Sequence, residues 1–166
     1  MPIRSMPLIE GKTLVIAGAQ KAATTAIFHL LCKHSQFVKP FLKEPQFLSI
    51  AGELTEDAES WYRSVLKPQT GLITIDASTS YMVCPIAARR VNELFEDPLI
   101  LIILRDPVQR AYSSYLELWK RGRNFESRAF DDIIATLEST DLESSRFQSV
   151  ERQKVLEAGE AGLLNY

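Results

Sequence analysis

The sequence has few residues that could cross-link a chain. Of its 166 residues only two are cysteines, Cys32 and Cys84, and they are too few and too far apart for a disulfide framework or a metal site. We expect both to be buried free thiols. A chain of this length can bury a hydrophobic core without such links, which predicts one ordinary globular domain.

Long apolar runs and an excess of charge of one sign are also lacking. No run approaches the ~20 apolar residues of a membrane span, and residues 1–12 hold no apolar stretch of signal-peptide length. The formal net charge is −2, so no overall field attracts nucleic acid or a membrane surface. These features predict a soluble chain, cytoplasmic by default, without a nucleic-acid partner.

What the sequence does have is short apolar runs that alternate with segments of helical periodicity. Runs rich in branched residues predict buried strands at residues 13–18, 71–76 and 98–104. The last run is apolar throughout, which is typical of a central parallel strand. Cap or proline residues followed by apolar residues at helical spacing predict helices. These cover residues 24–34, 55–66, 85–96, a segment beginning at 106–107, and 130–156.

This alternation predicts an α/β fold, a parallel sheet with helices on both faces. Residues 1–12 are interpreted as an N-terminal extension and residues 13–166 as the domain. In such sheets ligands bind at the carboxyl ends of the strands. We therefore expect chemistry in the turns that follow the predicted strands.

The first such turn, residues 18–25, is a loop of small residues between a strand and a helix. Its backbone N–H groups and the positive end of the helix could hold an anion, with Lys21 adding charge. The nucleoside-triphosphate loop G-x-x-x-x-G-K-[ST] is matched poorly, because Ala23 replaces its second glycine and Thr24 its lysine. A plain strand-to-helix loop with an exposed lysine remains the alternative.

The second turn contains Arg105, directly after the most apolar run, and Ser113 on the following predicted helix. A guanidinium at the end of a buried strand is costly without an anionic partner. Arginine and a hydroxyl at the start of a helix can clamp a phosphate. A structural ion pair of Arg105 with Asp76 or Asp106 is the alternative.

The third segment is the pair Lys43-Glu44, followed by an apolar, strand-like stretch up to residue 48. A carboxylate held beside lysines stays ionised and can accept a proton. The alternative is an ordinary surface charge pair.

Together these segments resemble the sulfotransferases that use 3′-phosphoadenosine-5′-phosphosulfate, in the carbohydrate or heparan-sulfate-type branch. Lys21-Ala-Ala-Thr-Thr resembles the 5′-phosphosulfate loop P-K-x-G-T-T, and residues 104–113 resemble the 3′-phosphate motif. Lys43-Glu-Pro-Gln-Phe resembles the segment K-E-x-x-F, and residues 76–81 resemble the substrate-side loop that follows it. The order and spacing of all four agree.

The resemblance implies a P-loop-like sheet and a role for each motif. The 5′-phosphate would be held by Lys21, which also neutralises the leaving group, and by the residues that follow it, Ala22, Ala23, Thr24, Thr25 and Ala26. Arg105 and Ser113 would hold the 3′-phosphate, so that the product is adenosine 3′,5′-bisphosphate. Because a sulfuryl group carries one charge less than a phosphoryl group, a lysine and backbone donors can act without a metal.

On the acceptor side, the resemblance implies that Glu44 is the general base that takes the proton of the acceptor hydroxyl. Lys43 and Ser80 would contact a carbohydrate acceptor. His29 is a rival base, since other branches of the family use histidine, but it lies inside the first predicted helix without a matching motif.

The sequence also departs from the family pattern. Gln20 replaces the usual proline and Ala23 the usual glycine, so the loop needs φ values that alanine tolerates. Ala77 stands where many carbohydrate-type members have a lysine, which predicts a different acceptor. Family domains continue beyond this length, so we expect the domain to be incomplete at its C-terminus.

Two other functions remain open. A truncated, inactive module could keep bisphosphonucleotide binding, and a divergent nucleotide kinase would need Mg²⁺ and a γ-phosphate site. Carbohydrate-type members in eukaryotes work in the Golgi lumen behind a membrane anchor, which is the expected location if the chain belongs to a longer eukaryotic protein.

Overall fold

The structure is a computed structural model that describes residues 7–50, 52–120 and 128–138 of the chain. Contacts divide it into two compact units, Met1–Leu104 and Arg105–Tyr166, and each is described by itself.

The first unit is built on a three-stranded sheet. Its strands are β1 (Ile9–Gly18), β2 (Thr74–Ala77) and β3 (Phe95–Ile102), in the order β2-β1-β3. Both neighbours of β1 run parallel to it. The predicted parallel sheet is confirmed, although β1 and β3 begin earlier along the chain than the apolar runs indicated.

The position of β3 corrects one expectation. The apolar run at residues 98–104 was expected to form a central, buried strand, and this is wrong for the described residues, where β1 is central and β3 lies at the edge. Leu99 is 43% exposed and Ile100 52% exposed. An apolar run predicts a strand but does not tell whether that strand pairs with neighbours on both sides, at the centre of the sheet, or on one side only, at its edge.

Helices cover both faces of this sheet, as predicted. They are α1 (Thr24–Leu31), α2 (Glu56–Leu66) and α3 (Pro85–Leu94). Successive strand residues point to opposite faces. Val15 of β1 packs in the cluster that holds residues of α2 and α3, such as Tyr62 and Val91, whereas Ile16 packs in a second cluster with Phe28 of α1.

Local signals explain where these helices begin. The side chain of Thr55, the N-cap of α2, accepts a hydrogen bond from the N–H of Ala58 at 3.2 Å. Pro85 occupies the first turn of α3, where its missing N–H costs nothing. The strand-like stretch after Lys43-Glu44 is instead a short 3₁₀ helix, Phe47–Ser49, so that expectation is wrong.

The second unit contains α4 (Pro107–Lys120) and α5 (Phe130–Glu138). Asp106 caps α4, because its Oδ1 accepts a hydrogen bond from the N–H of Gln109 at 2.9 Å. The ring of Phe130 packs edge-on against Tyr112, with centroids 5.2 Å apart. The remainder of the helix predicted over residues 130–156 lies outside the described residues.

Two further expectations concern the whole described chain. Both cysteines are free, as expected, but they are only half-buried, so the expectation of burial is wrong. Cys32 follows the last residue of α1 and Cys84 precedes α3, and helix ends at the surface leave side chains partly accessible. In the residues that the structure describes, no helix is long and apolar enough to cross a membrane.

Candidate active site

The loop after β1 leads directly into α1 at the carboxyl edge of the sheet. Its start is fixed to the chain after β3, because the N–H of Ala19 donates to the carbonyl of Ile103 and the N–H of Ile103 to the carbonyl of Gly18, both at 2.8 Å. A methyl group at Gly18 would lie 2.9 Å from Cβ of Met82, so this position requires glycine.

The next residues adopt left-handed backbone conformations. Lys21 has φ 65° and Ala23 has φ 66°, so the alanine that replaces the usual glycine takes a conformation that glycine adopts more easily. Such turns direct backbone N–H groups inward and make anion-binding concavities. Lys21 is half-buried at this turn.

Ala23 is the N-cap of α1 and has no side chain that could cap the helix. Helix geometry leaves the amides of Thr24 and Thr25 without an intrahelical acceptor. By contrast, the amide of Ala22 donates to the carbonyl of Ala19 at 3.2 Å and that of Ala26 to the carbonyl of Ala23 at 3.0 Å. Two of the five predicted backbone donors are therefore already bonded within the loop.

Glu44 lies beside the end of β2. Its N–H donates to the carbonyl of Ala77, the last residue of that strand, at 3.0 Å. Since β1 and β2 are adjacent parallel strands, Glu44 and the loop after β1 lie at the same edge of the sheet. The Nζ of Lys43 contacts the Oε1 of Glu44, and the glutamate side chain is 35% exposed.

A buried carboxylate lies behind this pair. The Oδ2 of Asp76 accepts hydrogen bonds from the hydroxyls of Tyr62 and, at 2.8 Å, Tyr81, and its Oδ1 accepts one from Ser78 at 3.0 Å. Burial raises the pKa of Asp76 to about 6, the hydroxyl donors oppose this shift, and the nearby carboxylate of Glu44 adds to it. The network lies within electrostatic reach of the candidate base.

The same hydroxyls also reach the segment that carries Glu44. The Oγ of Ser78 accepts a hydrogen bond from the N–H of Gln46 at 3.1 Å. The hydroxyl oxygen of Tyr81 accepts one from the N–H of Leu48 at 3.3 Å. The backbone around Glu44 is thus bonded to side chains that follow β2.

The other residues expected on the acceptor side take different positions. Ser80 is half-buried, with its Oγ 3.2 Å from the Oγ of Ser49. His29 is exposed on α1, with its ring against the edge of Phe28 at a centroid distance of 5.4 Å. Within the described residues, no cluster of three or more histidine, cysteine, aspartate or glutamate side chains could hold a metal.

Arg105 and Ser113 both belong to the second unit. Arg105 directly precedes the N-cap Asp106 and is exposed, and Ser113 lies half-buried in the second turn of α4. The expectation that Arg105 follows a buried strand is therefore wrong, because the run before it lies at the edge of the sheet and is largely exposed. Its role at the 3′-phosphate stays a prediction from the motif.

The chain is similar in sequence to known proteins. No family model matches the chain. The chain is 33% identical over 131 residues to heparan sulfate glucosamine 3-O-sulfotransferase 3B1 of Mus musculus, an overlap of 76% of this chain and 32% of that protein. It is 29% identical over 154 residues to bifunctional heparan sulfate N-deacetylase/N-sulfotransferase 1 of Caenorhabditis briggsae, an overlap of 88% and 17%.

A solved structure agrees with these relatives. The crystal structure of a sulfotransferase from Alicyclobacillus acidocaldarius matches with a TM-score of 0.63 and 26% identity, over 77% of this chain and 57% of that chain. The chain belongs to the sulfotransferase family. It spans about a third or less of the length of these curated relatives.

The sulfotransferase motifs in the sequence did not predict the buried hydrogen-bond network around Asp76. The motifs place Asp76 and Tyr81 at the two ends of a substrate-side loop. They do not predict the hydrogen bond between these two residues, nor the hydrogen bond that Tyr62 of α2 donates to Asp76. Arg90 was missed as well. It is 4% exposed and donates to the carbonyls of Leu48, Ile50 and Gly52, a role for which the sequence offers only an arginine on the apolar face of a helix.

Proposed function

We propose that this chain carries the donor-binding loop and the general base of an active site. That site transfers a sulfuryl group from 3′-phosphoadenosine-5′-phosphosulfate to a hydroxyl of a carbohydrate. The observation that carries the proposal is the common sheet edge, at which both the loop after β1 and Glu44 lie. The names of the relatives, which are heparan sulfate sulfotransferases, support a carbohydrate acceptor.

The donor side fits a multiply charged nucleotide. When bound, the donor supplies an activated sulfuryl group next to its 5′-phosphate. Lys21 lies in the loop that leads into α1, and the amides of Thr24 and Thr25 lie in the first turn of that helix, where the helix start stabilises an anion. The resemblance of their motif assigns the 3′-phosphate to Arg105 and Ser113.

The acceptor side needs a group that removes a proton from a hydroxyl. Glu44 is partly accessible and its side chain contacts Lys43, and a carboxylate at this position can take up such a proton. Lys43 and Ser80 would contact the acceptor. Ala77 is buried at the end of β2, so a carbohydrate meets no cation at this position.

The test is a binding and transfer experiment on the full chain. Calorimetry should show tighter binding of adenosine 3′,5′-bisphosphate than of 5′-AMP, and Lys21→Ala should weaken it roughly tenfold to a hundredfold through the loss of a charged donor. Glu44→Gln should keep nucleotide affinity and lower sulfuryl transfer to a heparan-type oligosaccharide by ~10²–10⁴.

Matched substitutions on exposed residues control for charge. Lys33→Ala and Glu53→Gln should leave both measurements at the wild-type level. Bisphosphate binding without transfer would replace the proposal with a nucleotide-binding module, and tight Mg²⁺-dependent ATP binding would replace it with a kinase. Undiminished transfer by Glu44→Gln would assign the base to another residue.

A further inference from the structure

Glu44 lies on a segment that belongs to neither a strand nor an α-helix, although its own N–H bonds to the carbonyl of Ala77 at the end of β2. Glu44 has φ 58° and Gln46 has φ 53°, so two residues within three adopt the left-handed conformation that side chains disfavour. A segment of this kind keeps one conformation only when contacts from elsewhere impose it.

The contacts come through two hydroxyls that share one carboxylate. Ser78 donates its only hydroxyl hydrogen to Oδ1 of Asp76, and Tyr81 donates its own to Oδ2. Because each hydrogen is used in this way, each hydroxyl oxygen is left to act as an acceptor towards the segment. The Oγ of Ser78 accepts from the amide of Gln46, and the hydroxyl oxygen of Tyr81 accepts from the amide of Leu48. The carboxylate thus fixes the direction of both hydrogen bonds to the segment.

We propose that Asp76 is a positioning residue for Glu44. Its carboxylate orients the hydroxyls of Ser78 and Tyr81, and these hold residues 44–48 by two backbone amides, so that the Glu44 side chain projects from a fixed base. The role rests on the proposed function, in which Glu44 takes a proton, but the anchoring itself is a property of the folded chain.

Tyr62 provides an internal comparison. Its hydroxyl donates to the same Oδ2 of Asp76 and its ring stacks on Phe47 with centroids 4.1 Å apart. Among the described contacts, however, its hydroxyl accepts no hydrogen bond from the 44–48 segment. Tyr62→Phe and Tyr81→Phe therefore each remove one hydroxyl donor to Oδ2 of Asp76. Only Tyr81→Phe also removes a hydrogen-bond acceptor for the segment.

The experiment is amide hydrogen exchange, followed by NMR on the full chain. Ser78→Ala should speed exchange at Gln46, and Tyr81→Phe at Leu48, by about threefold to tenfold beyond any change shared with amides of β1. Asp76→Leu should speed both. Tyr62→Phe should change both amides only as much as it changes β1.

Two results would overturn the proposal. One is unchanged exchange at Gln46 and Leu48 in Ser78→Ala and Tyr81→Phe, the variants that keep the carboxylate. The other is an acceleration in those variants that is equal for the segment and for β1, which would reduce the network to general stability. Asp76→Leu has the larger effect on the core, so the two hydroxyl variants decide the result if it does not fold.

Transfer kinetics separate this proposal from the proposed function. Ser78→Ala and Tyr81→Phe should lower kcat more than Tyr62→Phe does. The KM for the donor should stay unchanged, because these substitutions displace only the segment that carries Glu44 and not the donor-binding loop. If Glu44→Gln retained full transfer, the base assignment would fall, whereas the exchange pattern would still decide whether Asp76 anchors the segment.

Discussion

The charge of Asp76 is held inside the protein, among hydroxyls rather than water. The carboxyl is fully buried, and its pKa in the folded chain is about 6 rather than the ordinary 3.8. Three hydroxyl donors do not compensate for the lost hydration. Because the folded state binds the proton more tightly than the unfolded state, ionisation of this group reduces stability.

The sign of the pH effect follows directly. Between pH 4 and pH 6 the folded chain retains a proton that the unfolded chain has released, so the contribution of Asp76 to stability falls as the pH rises. Relative to Asp76→Asn, the wild-type free energy of unfolding should drop by roughly 2 to 3 kcal/mol across this window and stay constant above it.

Urea unfolding of both proteins at pH 4, 5, 6 and 7 measures this difference. Glu53→Gln, an exposed carboxylate, is the control and should show no comparable slope. A stability difference between wild type and Asp76→Asn that stayed flat from pH 4 to pH 7 would contradict the assignment of a raised pKa.

Individual residues were predictable where chemistry depends on neighbours in sequence. The pair Lys43-Glu44 and the cap Thr55 could be predicted because their partners lie within three residues. The bond between Tyr62 and Asp76 spans 14 positions, and that between Gln46 and Ser78 spans 32. Such contacts depend on how elements pack, which periodicity does not encode.

Among the elements, α1 begins in an unusual way. Its N-cap, Ala23, has φ 66° and offers no capping oxygen. Glycine adopts this conformation without steric cost, so Ala23→Gly should raise the free energy of unfolding by about 0.5–1 kcal/mol. Ala26→Gly, the same change in the first turn of the helix, should lower it by a similar amount.

Chemical denaturation compares the two substitutions. Opposite signs are expected, because the two alanines differ in backbone conformation and not in composition. If both variants lost stability equally, the strain at Ala23 would be absent.

Element positions were harder to predict than element types. The three apolar runs did form parallel strands, and helices cover both faces of the sheet. The predicted place of β3 was wrong because the sequence of a strand that is apolar on both faces does not distinguish a central strand from an edge strand. The 3₁₀ helix at Phe47–Ser49 was missed because its buried residues follow no period long enough to identify.

At the scale of the whole molecule, exposed apolar surface and low charge act together. In the part of the chain that the structure describes, one edge of β3 has no paired strand, and Ile100 and Ile102 are 52% and 48% exposed. A net charge of −2 gives little repulsion between copies. We therefore expect the chain to associate as its concentration rises.

Sedimentation velocity over a series of concentrations tests this expectation. Ile100→Lys should shift the chain towards monomer, because a charge on an edge strand blocks pairing. Leu30→Lys, on an exposed residue of α1, should leave association unchanged. A wild-type chain that remained monomeric throughout the series would contradict the prediction.

The anchoring of the 44–48 segment also sets when it can form during folding. Its bonds to Ser78, Tyr81 and Arg90 join residues between 32 and 42 positions apart. A chain must close these long loops, and therefore lose their conformational entropy, before any of the bonds can form. β2 and α3 must consequently be in place before Glu44 acquires its surroundings. The geometry around Glu44 thus depends on parts of the chain that follow it by 32 to 42 positions.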